Sequence, residues 1–165
     1  MSFLQQIALN EIQSDAPSGL QAVKLYAQYI VGENKEAAVA ELTELASDPA
    51  CSGNSVVQVM AATVHAAEGS IVDALKYCAS SQSLELLALS AQLLVAMDRA
   101  DVAEKQLKTM TAIDDDDTLT QLSTAYVGIA LGGAKLQEAS YIFQELGDKF
   151  TVTVSIINGS AACMM

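Results

Sequence analysis

Apolar residues along this chain recur at helical spacing, and a small unit of three positions recurs with them. Each unit has a turn residue, an alanine five or six positions on, and an apolar residue four positions after the alanine. It reads Gly32, Ala38, Leu42; Gly69, Ala74, Cys78; Asp98, Ala103, Leu107; and Gly133, Ala139, Phe143. The alanines are 36, 29 and 36 residues apart, close to the repeat length of helix-pair arrays. Residues at i and i+4 share one helix face, so the alanine admits a partner helix and the larger residue fills the space one turn later. First helices follow a register of their own. Ala91, Ala125 and Gly159 are spaced 34 and 34 apart, at the position where the tetratricopeptide pattern places a small residue.

The two registers predict an all-α fold, a tetratricopeptide-like α-solenoid of stacked antiparallel helix pairs, in a single domain over residues 1–165. The pairs fall at about 20–48, 55–80, 84–111 and 118–147, with half-pairs at 3–13 and 152–165. Their helices are predicted at Leu20–Val31 and Lys35–Ser47, Ser55–Glu68 and Ile71–Ala79, Leu84–Met97 and Asp101–Thr111, and Leu119–Leu131 and Leu136–Leu146. A lone helix Phe3–Ile12 is broken by Asp15-Ala16-Pro17-Ser18-Gly19, and Val152–Met165 opens a fifth pair. Gly32 is expected in a left-handed cap. Pro49 ends the helix before it, and Ser70 is expected to cap the next with its hydroxyl. Neither Ile156-Ile157 nor Cys163-Met164-Met165 resembles a polar cap, so the chain reads as part of a longer array or as a short form leaning on another protein.

Composition narrows the function. The hydrophobic fraction is 52%, aromatics are 5% and tryptophan is absent, which suits helical layers better than a sandwich. With 20 acidic against 8 basic side chains the formal charge is −12, too few cations to track a phosphate backbone or an anionic membrane. No nucleic-acid partner is expected. Cys51, Cys78 and Cys163 are odd in number and lack CxxC spacing, which points to a reduced, cytosolic compartment. The N-terminal residues have no basic run and no long apolar run of the secretory kind. The stretch Leu84 to Met97 is too short and too polar to span a bilayer.

Candidate chemistry is sparse. His65 is the sole histidine, with Glu68 on the same helix face, but it lacks the further ligands of a metal site. It reads as a structural histidine hydrogen-bonded to Glu68. Asp114–Asp117 does not make an EF-hand, because the sixth and twelfth positions hold Leu119 and Ala125. Its carboxylates suit the positive end of the following helix. Gly132-Gly133 before Ala134-Lys135 has neither the phosphate-loop spacing nor a preceding strand. Asn158-Gly159-Ser160 is a glycosylation sequon without a signal sequence, and Cys163 stands third from the end where prenylation needs the fourth. No catalytic residue, cofactor site or metal site is expected.

Longer strings carry a resemblance. Asp117-Thr118-Leu119-Thr120-Gln121-Leu122, then Gly132-Gly133-Ala134-Lys135-Leu136-Gln137-Glu138-Ala139 and Tyr141-Ile142-Phe143-Gln144-Glu145-Leu146, closely resemble the coatomer epsilon subunit family. So do Leu20-Gln21-Ala22-Val23-Lys24-Leu25 and Asn158-Gly159-Ser160-Ala161-Ala162-Cys163. The resemblance implies a non-enzymatic, cytosolic subunit of the COPI vesicle coat, peripheral on Golgi membranes and coated vesicles. It implies binding to the C-terminal region of the coatomer alpha subunit, and through it indirect contact with the other coatomer subunits. It also implies a role in retrograde Golgi-to-endoplasmic-reticulum and intra-Golgi transport. Family members have further helical segments on both sides of the region matched.

In tetratricopeptide arrays the first helices line the concave face. Counted from Ala91 and Ala125, the groove positions are Glu85, Ala88, Gln92 and Val95, then Leu119, Leu122, Tyr126 and Ile129. Gln92, Val95, Leu119, Leu122, Tyr126 and Ile129 are the expected partner-binding residues, with Tyr126 as the anchor. A stand-alone peptide-binding adaptor is the competing reading. Such adaptors clamp a carboxylate with basic groove residues, and these positions hold none.

Overall fold

The computed structural model describes residues 9–13, 15–32, 34–80 and 82–164. Among the described residues there are nine helices that run eight residues or more, and no strand. Backbone contacts divide the chain, expected as one domain, into two compact units, Met1–Leu86 and Leu87–Met165. Each is described by itself. Most of the predicted helix Phe3–Ile12 lies outside the described residues, and its part from 9 to 11 is helical.

In the first unit, α1 (Ser18–Val31) packs on α2 (Lys35–Ser47), and α3 (Ser55–Ala67) packs on α1, α2 and α4 (Ile71–Cys78). The core joins Ala22 and Tyr29 of α1, Ala38, Leu42 and Ala46 of α2, and Val57, Ala61 and Val64 of α3. Ala38 and Leu42 are therefore buried together, as their i, i+4 spacing requires. Gln58 is buried at 2% exposure and donates to the Ala46 carbonyl at 3.1 Å, so this polar group costs little. α1 begins two residues before its predicted start. Pro17 is preset for a helix entrance, and its carbonyl accepts from Leu20 and Gln21, so Ser18-Gly19 become the first turn instead of a break.

The division between units falls inside α5 (Leu84–Ala96). In the second unit α6 (Ala100–Ile113) packs on α7 (Thr118–Leu131). α7 packs on α8 (Ala134–Lys149), and α9 (Val154–Ala162) packs on both α8 and α7. Ala125 of α7 and Ala139 and Phe143 of α8 are buried to 1% or less and form a cluster that Ile156 and Cys163 cover. Across α7 and α8 the backbones come so close that a Cβ on Gly128 would lie 2.9 Å from the Lys135 carbonyl oxygen. A Cβ on Gly159 would overlap the Phe143 ring.

The four turn residues of the recurring unit all have positive φ: Gly32 at 89°, Gly69 at 82°, Asp98 at 58° and Gly133 at 58°. Gly69 and Asp98 close the same helix ending. Ser70 N–H reaches the His65 carbonyl and Gly69 N–H the Ala66 carbonyl; Arg99 N–H reaches Leu94 and Asp98 N–H reaches Val95. That is the pattern of two bonds from C″ and C′ back into the last turn. It also corrects the expectation for Ser70. Its ψ of 62° is set by the preceding helix ending, and its hydroxyl makes no cap bond.

Three outcomes follow for stability. Gly159→Ala should destabilise the second unit by about 1–3 kcal/mol through overpacking against Phe143. Gly53→Ala, where a Cβ meets nothing within 4 Å, should leave the melting temperature within error. Asp98→Gly should raise the melting temperature, because a side chain in the left-handed region costs on the order of 1 kcal/mol. A fall in the Asp98→Gly melting temperature would show that the carboxylate stabilises the turn more than its backbone strains it.

Candidate functional site

The second unit presents an apolar groove of about 570 Å³ between α5 and α7. Its lining is Gln92, Val95 and Ala96 from α5 and Tyr126, Ile129 and Ala130 from α7. The two triplets have identical i, i+3, i+4 spacing and are offset by 34 residues (92 to 126, 95 to 129, 96 to 130). The groove is thus one helix face, repeated. No lining residue is charged.

Tyr126 is the best-supported of the six. It is half-buried, and its ring meets Phe143 edge to face with centroids 5.8 Å apart at 72°. Phe143 is fully buried, so the phenol ring rests on an immobile floor and presents its remaining face to the groove. Ile129 packs on the same cluster, and Gln92 and both alanines are exposed at the rim.

Four of the six expected partner-binding residues, Gln92, Val95, Tyr126 and Ile129, come together here. Leu119 and Leu122 do not line the groove. Both are half-buried, and Leu122 packs against Ala125, Ala139 and Phe143. Among the other groove positions, Glu85 is exposed and Ala88 is buried. Ala96 and Ala130 were missed by the sequence reading. Carrying the 34-residue register one residue past Val95 and Ile129 finds them.

The other chemical candidates are absorbed into the fold. His65 does not meet Glu68. Its Nε2 lies 3.1 Å from Thr43 Oγ1, and its ring stacks on Tyr77 at 5.2 Å. The Thr43 hydroxyl donates to the Val39 carbonyl at 2.7 Å, so its oxygen is left to accept, which assigns the proton to Nε2. Glu68 Oε1 instead accepts from the Tyr29 hydroxyl at 2.6 Å. That bond, with burial and the Glu68 charge, raises the Tyr29 pKa above its ordinary value. Asp114 Oδ1 accepts the N–H groups of Asp116 and Asp117, and Asp117 Oδ1 accepts that of Leu119 at 2.7 Å, capping α7. Among the described residues no group of three His, Cys, Asp or Glu side chains is placed to hold a metal ion. No helix among them is long and apolar enough to cross a membrane.

The three cysteines are free. Cys78 fills the apolar position of its repeat and is 4% exposed. Burial pushes its thiol up to about 11, so it is a packed small hydrophobe and not a nucleophile.

Comparison with known proteins places this geometry in a family. The family model described as "Coatomer epsilon subunit" matches residues 4–165. The chain is 42% identical over 161 residues to "Coatomer subunit epsilon-1" of Arabidopsis thaliana, covering 97% of this chain and 55% of that protein. It is 44% identical over 160 residues to "Coatomer subunit epsilon-1" of Oryza sativa subsp. japonica, with the same coverage of 97% and 55%. "Coatomer subunit epsilon" of Dictyostelium discoideum is 30% identical over 164 residues, covering 95% of this chain and 55% of that protein. The chain spans about half the length of the curated relatives it matches. A crystal structure of a tetratricopeptide repeat protein from Parabacteroides merdae superposes with a TM-score of 0.70 at 16% identity, over 96% of this chain and 62% of that one. That likeness establishes the tetratricopeptide-like helical fold.

The Cys78 thiol sets an alkaline limit. A thiol whose folded-state pKa is raised binds its proton more tightly in the native than in the unfolded chain. Stability is therefore unaffected by this group below the ordinary thiol range and falls as pH rises from about 9 towards 11. The melting temperature should drop over that window, and Cys78→Ala should flatten the drop. An unchanged slope in the variant would remove the thiol from the cause.

Proposed function

The chain belongs to the coatomer epsilon subunit family, and from that membership we propose that it is a non-enzymatic structural subunit of the COPI vesicle coat. In this reading it binds and stabilises the C-terminal region of the coatomer alpha subunit, and acts in Golgi-to-endoplasmic-reticulum retrograde and intra-Golgi transport. Contact with other coatomer subunits is indirect, and the chain meets Golgi and vesicle membranes only through the coat, from the cytoplasm. The observation that carries the coat assignment is the family match across residues 4–165.

The α5–α7 groove is the proposed seat for the alpha-subunit segment. Uncharged lining with one amide and one phenol suits a neutral apolar segment of another protein, held as an extended strand or hairpin. A fixed aromatic ring loses little freedom on binding, which favours Tyr126 as the anchor. The adaptor reading would need a basic clamp for a peptide carboxylate, and the lining contains no lysine or arginine. A non-enzymatic role is supported by the histidine, the carboxylates and the buried thiol, which serve packing and capping.

Co-expression with the C-terminal region of the alpha subunit should yield a stable soluble complex. A folded chain that ignores that partner overturns the proposal. Tyr126→Ala should weaken the complex at least tenfold, the scale of an interface anchor. Tyr126 also packs on Phe143, so Ala130→Glu provides a separate test from an exposed groove position. It should weaken binding while leaving the circular dichroism and melting temperature of the free chain unchanged. Binding unaffected by both substitutions would move the site elsewhere.

A further inference from the structure

We propose that the Gln92 carboxamide and the Tyr126 hydroxyl make the α5–α7 groove a reader of main chain, so that its occupant is an extended, uncharged segment recognised through its peptide groups. The inference rests on the reading of this groove as the seat for the alpha-subunit segment, and adds how that segment is held. The groove is lined by residues between 92 and 130, well inside the chain. Four of its six lining side chains, Val95, Ala96, Ile129 and Ala130, can form no hydrogen bond. The two that can, Gln92 and Tyr126, stand at the same register position one repeat apart. Among the described residues, neither the Gln92 carboxamide nor the Tyr126 hydroxyl has a hydrogen-bond partner.

Water satisfies both groups while the groove is open. An occupant that covers the groove removes that water, and a covered polar group left unpaired costs more than a hydrogen bond gains. The occupant must therefore bring donors and acceptors to these two points. The amide offers two N–H donors and an acceptor, and the phenol one donor and an acceptor. A helix cannot answer them from its main chain, because its N–H and C=O groups are already bonded to one another. An extended chain can. It presents unpaired N–H and C=O groups along its edges, while alternate side chains point onto the apolar lining. Val95 and Ile129, one turn beyond Gln92 and Tyr126, supply that lining in each repeat.

Charge complementarity fixes the rest of the occupant. The lining is uncharged, whereas the chain as a whole carries −12. An ammonium or carboxylate placed in the groove would lose its water and gain no counter-charge. An acidic segment is repelled by the rest of the molecule as well. A neutral stretch held by its peptide groups meets neither cost. The Tyr126 ring is fixed edge to face on Phe143 at 5.8 Å, so its hydroxyl is in place before the segment arrives and little freedom is lost on binding.

Two substitutions remove the hydrogen bonds and keep the shape. Gln92→Leu and Tyr126→Phe should each weaken the complex with the C-terminal region of the alpha subunit at least about threefold in calorimetric titration, the scale of one neutral hydrogen bond. Both should leave the melting temperature and circular dichroism of the free chain unchanged, because neither removed group bonds within the protein. In the complex, the side-chain N–H pair of Gln92 should shift in nuclear magnetic resonance spectra and exchange slowly with solvent. Binding as tight as the parent's by either variant overturns main-chain reading. If Tyr126→Ala and Ala130→Glu still weaken the complex in that case, the groove assignment stands without it. A bound segment whose chemical shifts are helical overturns it as well. A parent chain that does not bind the alpha-subunit region overturns the coat reading and this inference together, so the two failures give different results.

Discussion

The close approach of paired helices at small residues is the constraint on which the rest of this structure depends. Ala125, Ala139 and Gly128 let α7 and α8 pack with almost no side chain between their backbones. Phe143, one turn beyond Ala139, occupies the space that this approach leaves, and Gly159 of α9 closes over its ring. A single large side chain of α8 is thus held by Ala125 and Tyr126 of α7 and by Gly159 of α9. Packing of this kind tolerates neither a missing ring nor an added methyl, because interiors are already at crystal density. The first unit repeats the arrangement with Ala38 and Leu42 against Ala61 and Val64.

Because the constraint is periodic, much of it was legible before any coordinates. Ala91, Ala125 and Gly159 are all buried, and so are the four alanines of the second helices with the apolar residues that follow them. The turn residues were legible for the same reason: a helix pair needs a reversal, and reversal through the left-handed region favours glycine. Asp98 passes as the exception because aspartate tolerates that region better than most residues. What escaped the reading was chemistry decided by neighbours from other helices. His65 turned to Thr43 and Tyr77 because α2 and α4 bring them within reach, while Tyr29 of α1 took Glu68. Spacing along one helix offered Glu68 as the partner and contained no sign of Thr43, which is 22 residues away. Ser70 failed for a local reason. A helix ending and a helix beginning compete for the same ψ, and the ending won.

The candidate groove was partly legible on the same grounds. Gln92, Val95, Tyr126 and Ile129 follow from counting along first helices, and the register that buries Ala91 and Ala125 turns these four outward. Leu119 and Leu122 lie on the same stripe of α7 but nearer its start, where Leu122 is drawn into the core beside Ala125. Counting gives the direction a side chain leaves its helix. It does not give how much neighbouring structure stands in that direction.

The two apolar surfaces of the second unit therefore differ in what the fold asks of them. Tyr126 and Ile129 serve the core from one side and face the groove from the other, so their loss weakens packing and recognition together. Val154, Ile157 and Met164 stand at 73%, 55% and 82% exposure, so solvent rather than core occupies most of their surface. An exposed isoleucine contributes little to the folding of one chain, since burial is what converts apolar area into stability. Apolar area of that kind contributes only once another surface covers it.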